Sequence, residues 1–152
     1  MSVVDTFSPE VLKALQASGW TPDRRTPVEQ WDQVLRSEGY YLSDIAREVL
    51  ESLGGLRIHP VRKGPYTADL LFEPELAGSG AYDIAEELEG LFHQRFYPVA
   101  EWISNSCVFV GEKGKVASYD DIETLDIADS VGEALDVMLL ASRSPRVMRS
   151  GQ

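Results

Sequence analysis

Carboxylates are the residues of this sequence whose number and spacing could do chemistry, and they form two clusters. One cluster lies within residues 73–89 and the other within residues 120–136, and no lysine or arginine occurs from Val116 to Ser142. A calcium-binding loop needs regularly spaced ligands and a glycine for its tight turn, and residues 120–129 have neither. A pair of glycosidase carboxylates could be drawn from any acidic chain, so the sequence singles out no such pair.

Two interpretations of the acidic clusters remain open. The carboxylates form either a solvated surface that keeps the protein soluble or a docking surface for a basic partner, whose complementary field would speed encounter. The second interpretation predicts a set of partner-binding residues, which share a carboxylate and a position in one of the two clusters: Glu73, Glu75, Asp83, Glu86, Glu87, Asp120, Asp121, Glu123, Asp126 and Asp129.

Histidine and cysteine, which commonly do chemistry in proteins, are rare in this sequence. His59 and His93 have no second histidine or cysteine at the spacing of metal ligands, so the sequence predicts no zinc site. Cys107 alternates with Val108 and Phe109 in a strand pattern, which favours a packed thiol. No nucleophile-elbow motif selects a serine for catalysis.

Two glycine motifs resemble nucleotide-binding loops only in part. Gly78-Ser79-Gly80 lacks the third glycine of a dinucleotide fingerprint, and acids open the helix predicted after it, where they would repel a phosphate. Residues 111–115 have the wrong spacing for a phosphate loop and precede no predicted helix. Both motifs are predicted to be turns, and we expect no catalytic, metal or cofactor site and no enzyme. A small hydrolase is a distant alternative.

Helices that could position these side chains are predicted from hydrophobic spacing and capping residues. Ser8 and Ser130 are predicted N-caps of the first and last helices, and a capping box is predicted to start the second helix at Thr26. The third helix follows Leu42 to Leu53, and the fourth carries Ile84 to Phe92.

Strands are predicted between the third and the last helix. They lie at residues 56–61, 67–72, 102–104, 107–110 and 115–119, with a hairpin turn over residues 111–114. Pro98 is predicted to close the region before the third strand. The expected fold is therefore one α+β domain, with a mostly antiparallel central sheet flanked by helices at both chain ends.

Length and charge place these elements in one acidic domain. The 152 residues suit a single core, and we predict a domain of residues 1–141 followed by a flexible basic tail, residues 142–152, with little to bury. The tail carries Arg143, Arg146 and Arg149 and no acid. Without these three, 11 basic residues face 25 acidic ones, a net charge of −14. Such a field repels nucleic acid and anionic membranes and attracts cationic partners.

The sequence predicts a cytoplasmic protein. It has no apolar run of membrane-spanning length, and its first residues lack the charged and apolar blocks of a secretory signal. The single cysteine excludes a disulfide within the chain. The sequence slightly favours a monomer without fixing the oligomeric state.

Short motifs follow one another in a characteristic order through residues 15–141. They are, in chain order, Gly19-Trp20 with Arg24 or Arg25, Trp31 with Leu35, Gly39, Gly54-Gly55-Leu56, Leu71-Phe72-Glu73-Pro74 and Pro98-Val99-Ala100-Glu101. Their order and spacing resemble the SUKH superfamily, and within it the third subfamily, which consists of bacterial polymorphic-toxin immunity proteins. Ala100 stands where that family more often has glycine, and Leu53 stands where it usually has an aromatic residue.

The resemblance implies a non-enzymatic immunity protein that binds and neutralises a cognate toxin domain in the cytoplasm of the producing bacterium. Toxins of such systems are often nucleases or deaminases, and a basic toxin would suit the acidic clusters. The superfamily also includes adaptor-like members, so a SUKH-type adaptor or scaffold that binds other cellular partners is the alternative. Under either function we expect no cofactor and no nucleic-acid or membrane partner.

Overall fold

The computed structural model of the protein describes residues 2–103 and 105–150. Within them it contains six α-helices and a seven-stranded antiparallel sheet, which confirms the predicted α+β class. The helices are α1 (Pro9–Ala17), α2 (Glu29–Glu38), α3 (Asp44–Leu53), α4 (Pro74–Gly78), α5 (Tyr82–Phe92) and α6 (Val131–Leu140). The strands are β1 (Arg57–Ile58), β2 (Leu70–Leu71), β3 (Phe96–Trp102), β4 (Ser106–Gly111), β5 (Val116–Tyr119), β6 (Glu123–Ala128) and β7 (Arg146–Ser150). No helix in these ranges is both long and apolar enough to span a membrane.

The sheet is a meander in which each strand pairs with the next strand along the chain. In its middle, Phe109 of β4 lies opposite Ala117 of β5, which in turn lies opposite Asp126 of β6. Helix α3 packs on β3 and β4, α6 packs on β6, and α4 and α5 contact β3. Helices lie at both ends of the chain, as the sequence predicts, and α1 contacts α6.

Serine caps fix the starts of three helices. The side-chain oxygens of Ser8, Ser43 and Ser130 each accept a hydrogen bond from the backbone amide three residues later, at 3.2–3.3 Å. Each bond satisfies one of the amides that a helix start leaves without an internal partner. The predicted caps at Ser8 and Ser130 are therefore confirmed.

Two predicted boundaries are wrong. Helix α2 begins at Glu29 with Val28 as its N-cap, rather than after Thr26, whose amide donates to the Glu51 carbonyl at 2.8 Å. Pro98 does not close a region but lies inside β3, where the register shifts between Pro98 and Ala100. A bulge of this kind accommodates a residue that cannot donate a ladder hydrogen bond. Of the strand predicted at residues 102–104, only Trp102 belongs to β3, Ile103 lies in the following turn, and Ser104 lies outside the described residues.

The sheet is shorter at one edge and longer at the other than the sequence predicts. Strands β1 and β2 have two residues each, whereas β6 and β7 were not predicted. Residues 146–150, predicted to belong to a flexible tail, form β7 and pair with β6, with Val147 opposite Leu125 and Arg146 opposite Asp126. The prediction of a flexible tail rested on its small number of apolar residues. It did not consider that β6 carries a carboxylate, Asp126, with which Arg146 of the tail can pair.

The glycine motifs serve packing and chain reversal. A side chain at Gly78, the last residue of α4, would collide with the ring of Pro98, so only glycine allows β3 to approach this closely. Gly114 has φ +106° in the hairpin that joins β4 and β5, which confirms the predicted turn. The Gly111 amide completes this hairpin by donating to the Lys115 carbonyl at 2.7 Å.

Several residues of the short motifs form one structural junction. Trp20 is 5% exposed, and the ring of Trp31 lies so close to Gly54 that a side chain there would overlap it. Arg24 Nη1 donates to the carbonyl oxygens of Gly54 at 2.9 Å and of Ser52 at 3.2 Å. These contacts tie the end of α3 to the segment between α1 and α2, which places the motif residues in the scaffold.

Candidate functional site

Strand β6 divides the second acidic cluster into two environments. Asp120 and Asp121 lie in the turn before β6, Glu123 begins the strand, Asp126 lies inside it and Asp129 follows it. Asp121 and Asp129 are exposed, Asp120 and Glu123 are half-buried, and Asp126 is buried. The carboxylates therefore differ in their access to a partner.

Asp126 and Asp129 line a polar cleft together with Lys115, Arg143 and Arg146, and we call these five residues the ion cluster. Lys115 Nζ lies 2.9 Å from Asp126 Oδ1 and 2.6 Å from Asp129 Oδ1, and Arg146 Nη2 lies 3.1 Å from Asp126 Oδ2. The side chains of Lys115 and Asp126 are only 14% and 10% exposed. The cations of the ion cluster therefore neutralise its two carboxylates from within the fold.

Hydrogen bonding shifts the pKa values inside the ion cluster. The bond from Lys115 lowers the pKa of Asp129 below its usual value, and the charge of Lys115 adds to this effect. Partial burial alone would lower the pKa of Lys115, but its hydrogen bonds to Asp129 and Asp126 outweigh burial, so that this pKa is raised. Lys115 and Asp129 are thus charged near neutral pH.

Arg143 joins the ion cluster to the start of α6. Its Nη2 donates to the Ile127 carbonyl at 2.7 Å and to Glu133 Oε1 at 3.1 Å. These bonds hold the segment after α6 against β6, and they direct the chain toward its pairing as β7.

Asp120, the first carboxylate of the turn between β5 and β6, stabilises the turn itself. Asp120 Oδ1 accepts hydrogen bonds from the amides of Ile122 and Glu123, both at 2.7 Å, and Oδ2 accepts one from Ser106 Oγ at 3.0 Å. Burial acts to raise the pKa of Asp120, but these three hydrogen bonds outweigh it and hold the pKa below the usual value. Asp120 therefore fixes the turn as a carboxylate.

The fixed turn borders a concavity of about 310 Å³. Its lining residues come from α5, from the β3–β4 connection and from β4 to β6: Ile84, Asn105, Cys107, Tyr119, Asp120, Asp121 and Ile122. Ile122 stands at its edge with 67% of its surface exposed, the largest fraction among the exposed large hydrophobic residues of the described chain. We call this feature the turn pocket.

The first acidic cluster lies on α4 and α5. On α5, Asp83 and Glu86 are exposed and Glu87 is half-buried. Glu86 lines a shallow groove that also contains Arg95 and Glu112, whose Nη2 and Oε2 atoms lie 3.0 Å apart. The hydrogen bond from Arg95 lowers the pKa of Glu112, so this neighbouring pair stays ionised.

Glu73 and Glu75 occupy a separate groove at the start of α4. They line it together with Trp31, Leu76 and Ser79, and Leu76 is 60% exposed. The ten predicted partner-binding residues are therefore distributed over four places: this groove, α5, and each of the two ends of β6.

The structure brings part of α5 to the turn before β6. Ile84 lines the turn pocket together with Asp120 and Asp121, and Glu87 lies one helical turn after Ile84 on the same side of α5. A residue of α5 and two carboxylates of the second cluster thus border one concavity. Ile122 was not among the predicted site residues, although an isoleucine between charged residues in a short turn is a signal of exposure.

The histidines and the cysteine occupy structural positions. His59 Nδ1 lies 2.9 Å from Asp69 Oδ1 on the exposed side of the β1–β2 pair. His93 ends α5 in a left-handed conformation with φ 60°. The Cys107 thiol donates to the Ala77 carbonyl at 2.9 Å, and burial, with a smaller effect of Glu101, raises its pKa. In the described ranges, no three His, Cys, Asp or Glu side chains form a group able to hold a metal ion.

Comparison with known proteins gives one match. The model of the SUKH-3 immunity protein family matches residues 7–141, which include all six helices and every strand except β7. No curated protein and no solved structure matches the chain. Because the matched residues make up most of the chain, the protein belongs to the SUKH-3 immunity protein family.

Proposed function

We propose that this protein neutralises a basic toxin domain, such as a nuclease or a deaminase, by binding it in the cytoplasm through acidic residues of α5 and of the turn before β6. The observation that carries the proposal is the family match over residues 7–141, because the family implies toxin neutralisation and a cognate toxin as partner. The chemistry of the toxin and the location of the surface rest on the charges described above.

Charge supports a basic partner. The chain has a net charge of −11, and Asp83, Glu86 and Asp121 are exposed without forming a salt bridge to any residue in the described ranges. Carboxylates of this kind attract a cationic surface and accelerate encounter with it. Asp126 and Asp129 contribute less to this field, since Lys115 and Arg146 lie against them.

An inhibitor that only covers the binding groove of a toxin needs no catalytic chemistry of its own. A basic groove that binds an anionic polymer can be covered by a protein that presents carboxylates in place of phosphates. We therefore propose a non-enzymatic mechanism in which the protein blocks the toxin by binding it.

Co-expression tests the proposed function directly. Cells that produce the toxin domain encoded beside this gene should survive when they also make this protein, and purified protein should bind a catalytically inactive form of that domain. Continued killing despite production of folded protein would contradict the proposal.

A pair of matched variants tests the acidic surface. Asp83→Asn with Glu86→Gln removes two exposed charges from α5, and Asp23→Asn with Glu29→Gln removes two exposed charges before and at the start of α2. The α5 variant should slow association with the inactive toxin domain about 3-fold or more at low ionic strength, and the control should not. Equal effects of the two variants would indicate that only net charge matters.

A further inference from the structure

We propose that the turn pocket is the anchor point of the toxin interface, and that it takes an aliphatic or aromatic side chain from a segment of the toxin flanked by lysine or arginine. This inference rests on the proposed function and names the contact on which the affinity of that complex depends. It assigns the central contribution to Ile122, a residue without charge in an acidic region.

The first support is the exposure of Ile122 in a turn that holds it in place. Two amide hydrogen bonds of 2.7 Å to Asp120 fix the backbone at Ile122 and Glu123, and Ser106 holds the other oxygen of Asp120. A turn whose backbone is already ordered loses little conformational entropy on binding. Ile122 is thus presented to solvent at 67% exposure by a turn that needs no rearrangement.

The second support is the composition of the turn pocket. Ile84, Cys107, Tyr119 and Ile122 supply apolar surface, and Asp121 and Asn105 add polar groups to the lining. Protein interfaces place their strongest contacts in a similar arrangement, with apolar or aromatic groups at the centre and polar groups around them. Cys107 is a wall of this pocket and its thiol is directed to the Ala77 carbonyl at 2.9 Å.

The third support is charge, which selects the occupant. Asp120 and the exposed Asp121 both line the pocket. Carboxylates in the lining of a largely apolar concavity favour an incoming segment that combines an apolar side chain with neighbouring cations. An acidic segment would be repelled by these carboxylates. A purely polar segment would leave the apolar surface of the pocket hydrated.

Truncation of Ile122 tests this assignment with an inactive form of the toxin domain encoded beside the gene as the probe. Ile122→Ala should raise the Kd about 10-fold or more, whereas Ile122→Val should stay close to the wild-type value. Leu76→Ala is the matched control, because Leu76 is 60% exposed in a groove of similar character on α4. Thermal unfolding should show that all three variants keep the wild-type stability, since both side chains are exposed.

Ionic strength adds a second readout. Because the lost contact is apolar, the ratio of the Kd of Ile122→Ala to that of the wild type should be the same at low and at moderate salt. If Ile122→Ala binds the toxin domain as tightly as the wild type does, or if only Leu76→Ala weakens binding, the anchor is overturned and the proposed function stands. Failure of the wild-type protein to bind the toxin domain overturns both.

Discussion

The two ends of strand β6 carry the same residue type in different surroundings. Before the strand, Asp120 accepts hydrogen bonds from the turn, while Asp121 and Ile122 face solvent. Toward its other end, Asp126 and Asp129 contact the cations of the ion cluster, and Asp126 is buried. The first end leaves a carboxylate exposed to solvent, and the second end holds its carboxylates in ion pairs.

The difference shows that a cluster of acidic residues in the sequence need not form an acidic surface on the folded protein. No lysine or arginine occurs between Val116 and Ser142, yet antiparallel pairing brings Lys115, which directly precedes β5, and Arg146 of β7 to the carboxylates of β6. Strand β7 lies beyond the residues that match the family, so one of these cations comes from a part of the chain that the match does not include.

The largest expected effect is that of Asp126→Ala on stability. The change leaves Lys115, at 14% exposure, without its closest buried counter-ion and removes the anchor of Arg146 on β7. Breaking a buried pair from one side typically costs several kcal/mol, and we expect the free energy of unfolding to fall by about 3 kcal/mol. Urea denaturation measures this change.

Asp121→Ala is the matched control for Asp126→Ala. It removes an exposed carboxylate from the opposite end of the same strand and should change stability by less than about 0.5 kcal/mol. Similar losses in the two variants would contradict the division of β6 into a structural and an accessible end.

A second prediction compares the two cations that contact Asp126. Lys115→Gln should cost about 2 kcal/mol, because the lost ammonium is buried between two carboxylates. Arg146→Gln should cost less than about 1 kcal/mol, because the Arg146 side chain is 72% exposed and solvent screens its charge. Denaturation in urea under one buffer condition measures both, and a reversed order would show that burial does not set the strength of the ion cluster.

A third prediction uses pH to isolate the turn. The pKa of Asp120 lies below its ordinary value of 3.8, because hydrogen bonds to the carboxylate outweigh burial. The unfolded state therefore takes up its proton at a higher pH than the folded state does. The stability that Asp120 contributes is complete above pH 3.8 and is lost as the pH falls through the folded pKa.

Asp120→Asn should remove this contribution. We expect the variant to be about 1 kcal/mol less stable than the wild type at neutral pH, and we expect the difference to shrink as the pH falls below 3.8. Denaturation series at several pH values measure the difference. A difference that is constant over the acid range would show that the carboxylate form does not hold the turn.

Local signals made much of the helical part of the fold predictable. Serine caps and apolar spacing lie within single helices, so Ser8, the Leu42–Leu53 pattern and Ser130 predict α1, α3 and α6 correctly. Strands β6 and β7 were missed because their stability depends on each other: Asp126 interrupts an apolar run in β6, and its counter-ion lies 20 residues away.

The candidate site was predictable in residue type but not in place. The sequence identified the acidic clusters, but the positions of Lys115 and Arg146 decide which carboxylates are neutralised, and these positions follow from strand register. Ile122 was overlooked because its exposure follows from the hydrogen bonds of Asp120, which connect residues of the turn only after it has formed.

The smallest expected effect, that of Asp121→Asn, separates binding from stability most sharply. This exposed carboxylate borders the turn pocket, so its loss should leave the urea midpoint unchanged while weakening the field that a basic toxin meets. At low ionic strength the association rate with the inactive toxin domain should fall about 2-fold, and at moderate ionic strength the difference should disappear. Stopped-flow association at the two salt concentrations measures this. A decrease in the association rate that persists at moderate salt would indicate that Asp121 forms a desolvated contact with the toxin. The accessible end of β6 would then act through a direct ion pair, as the carboxylates of the ion cluster do.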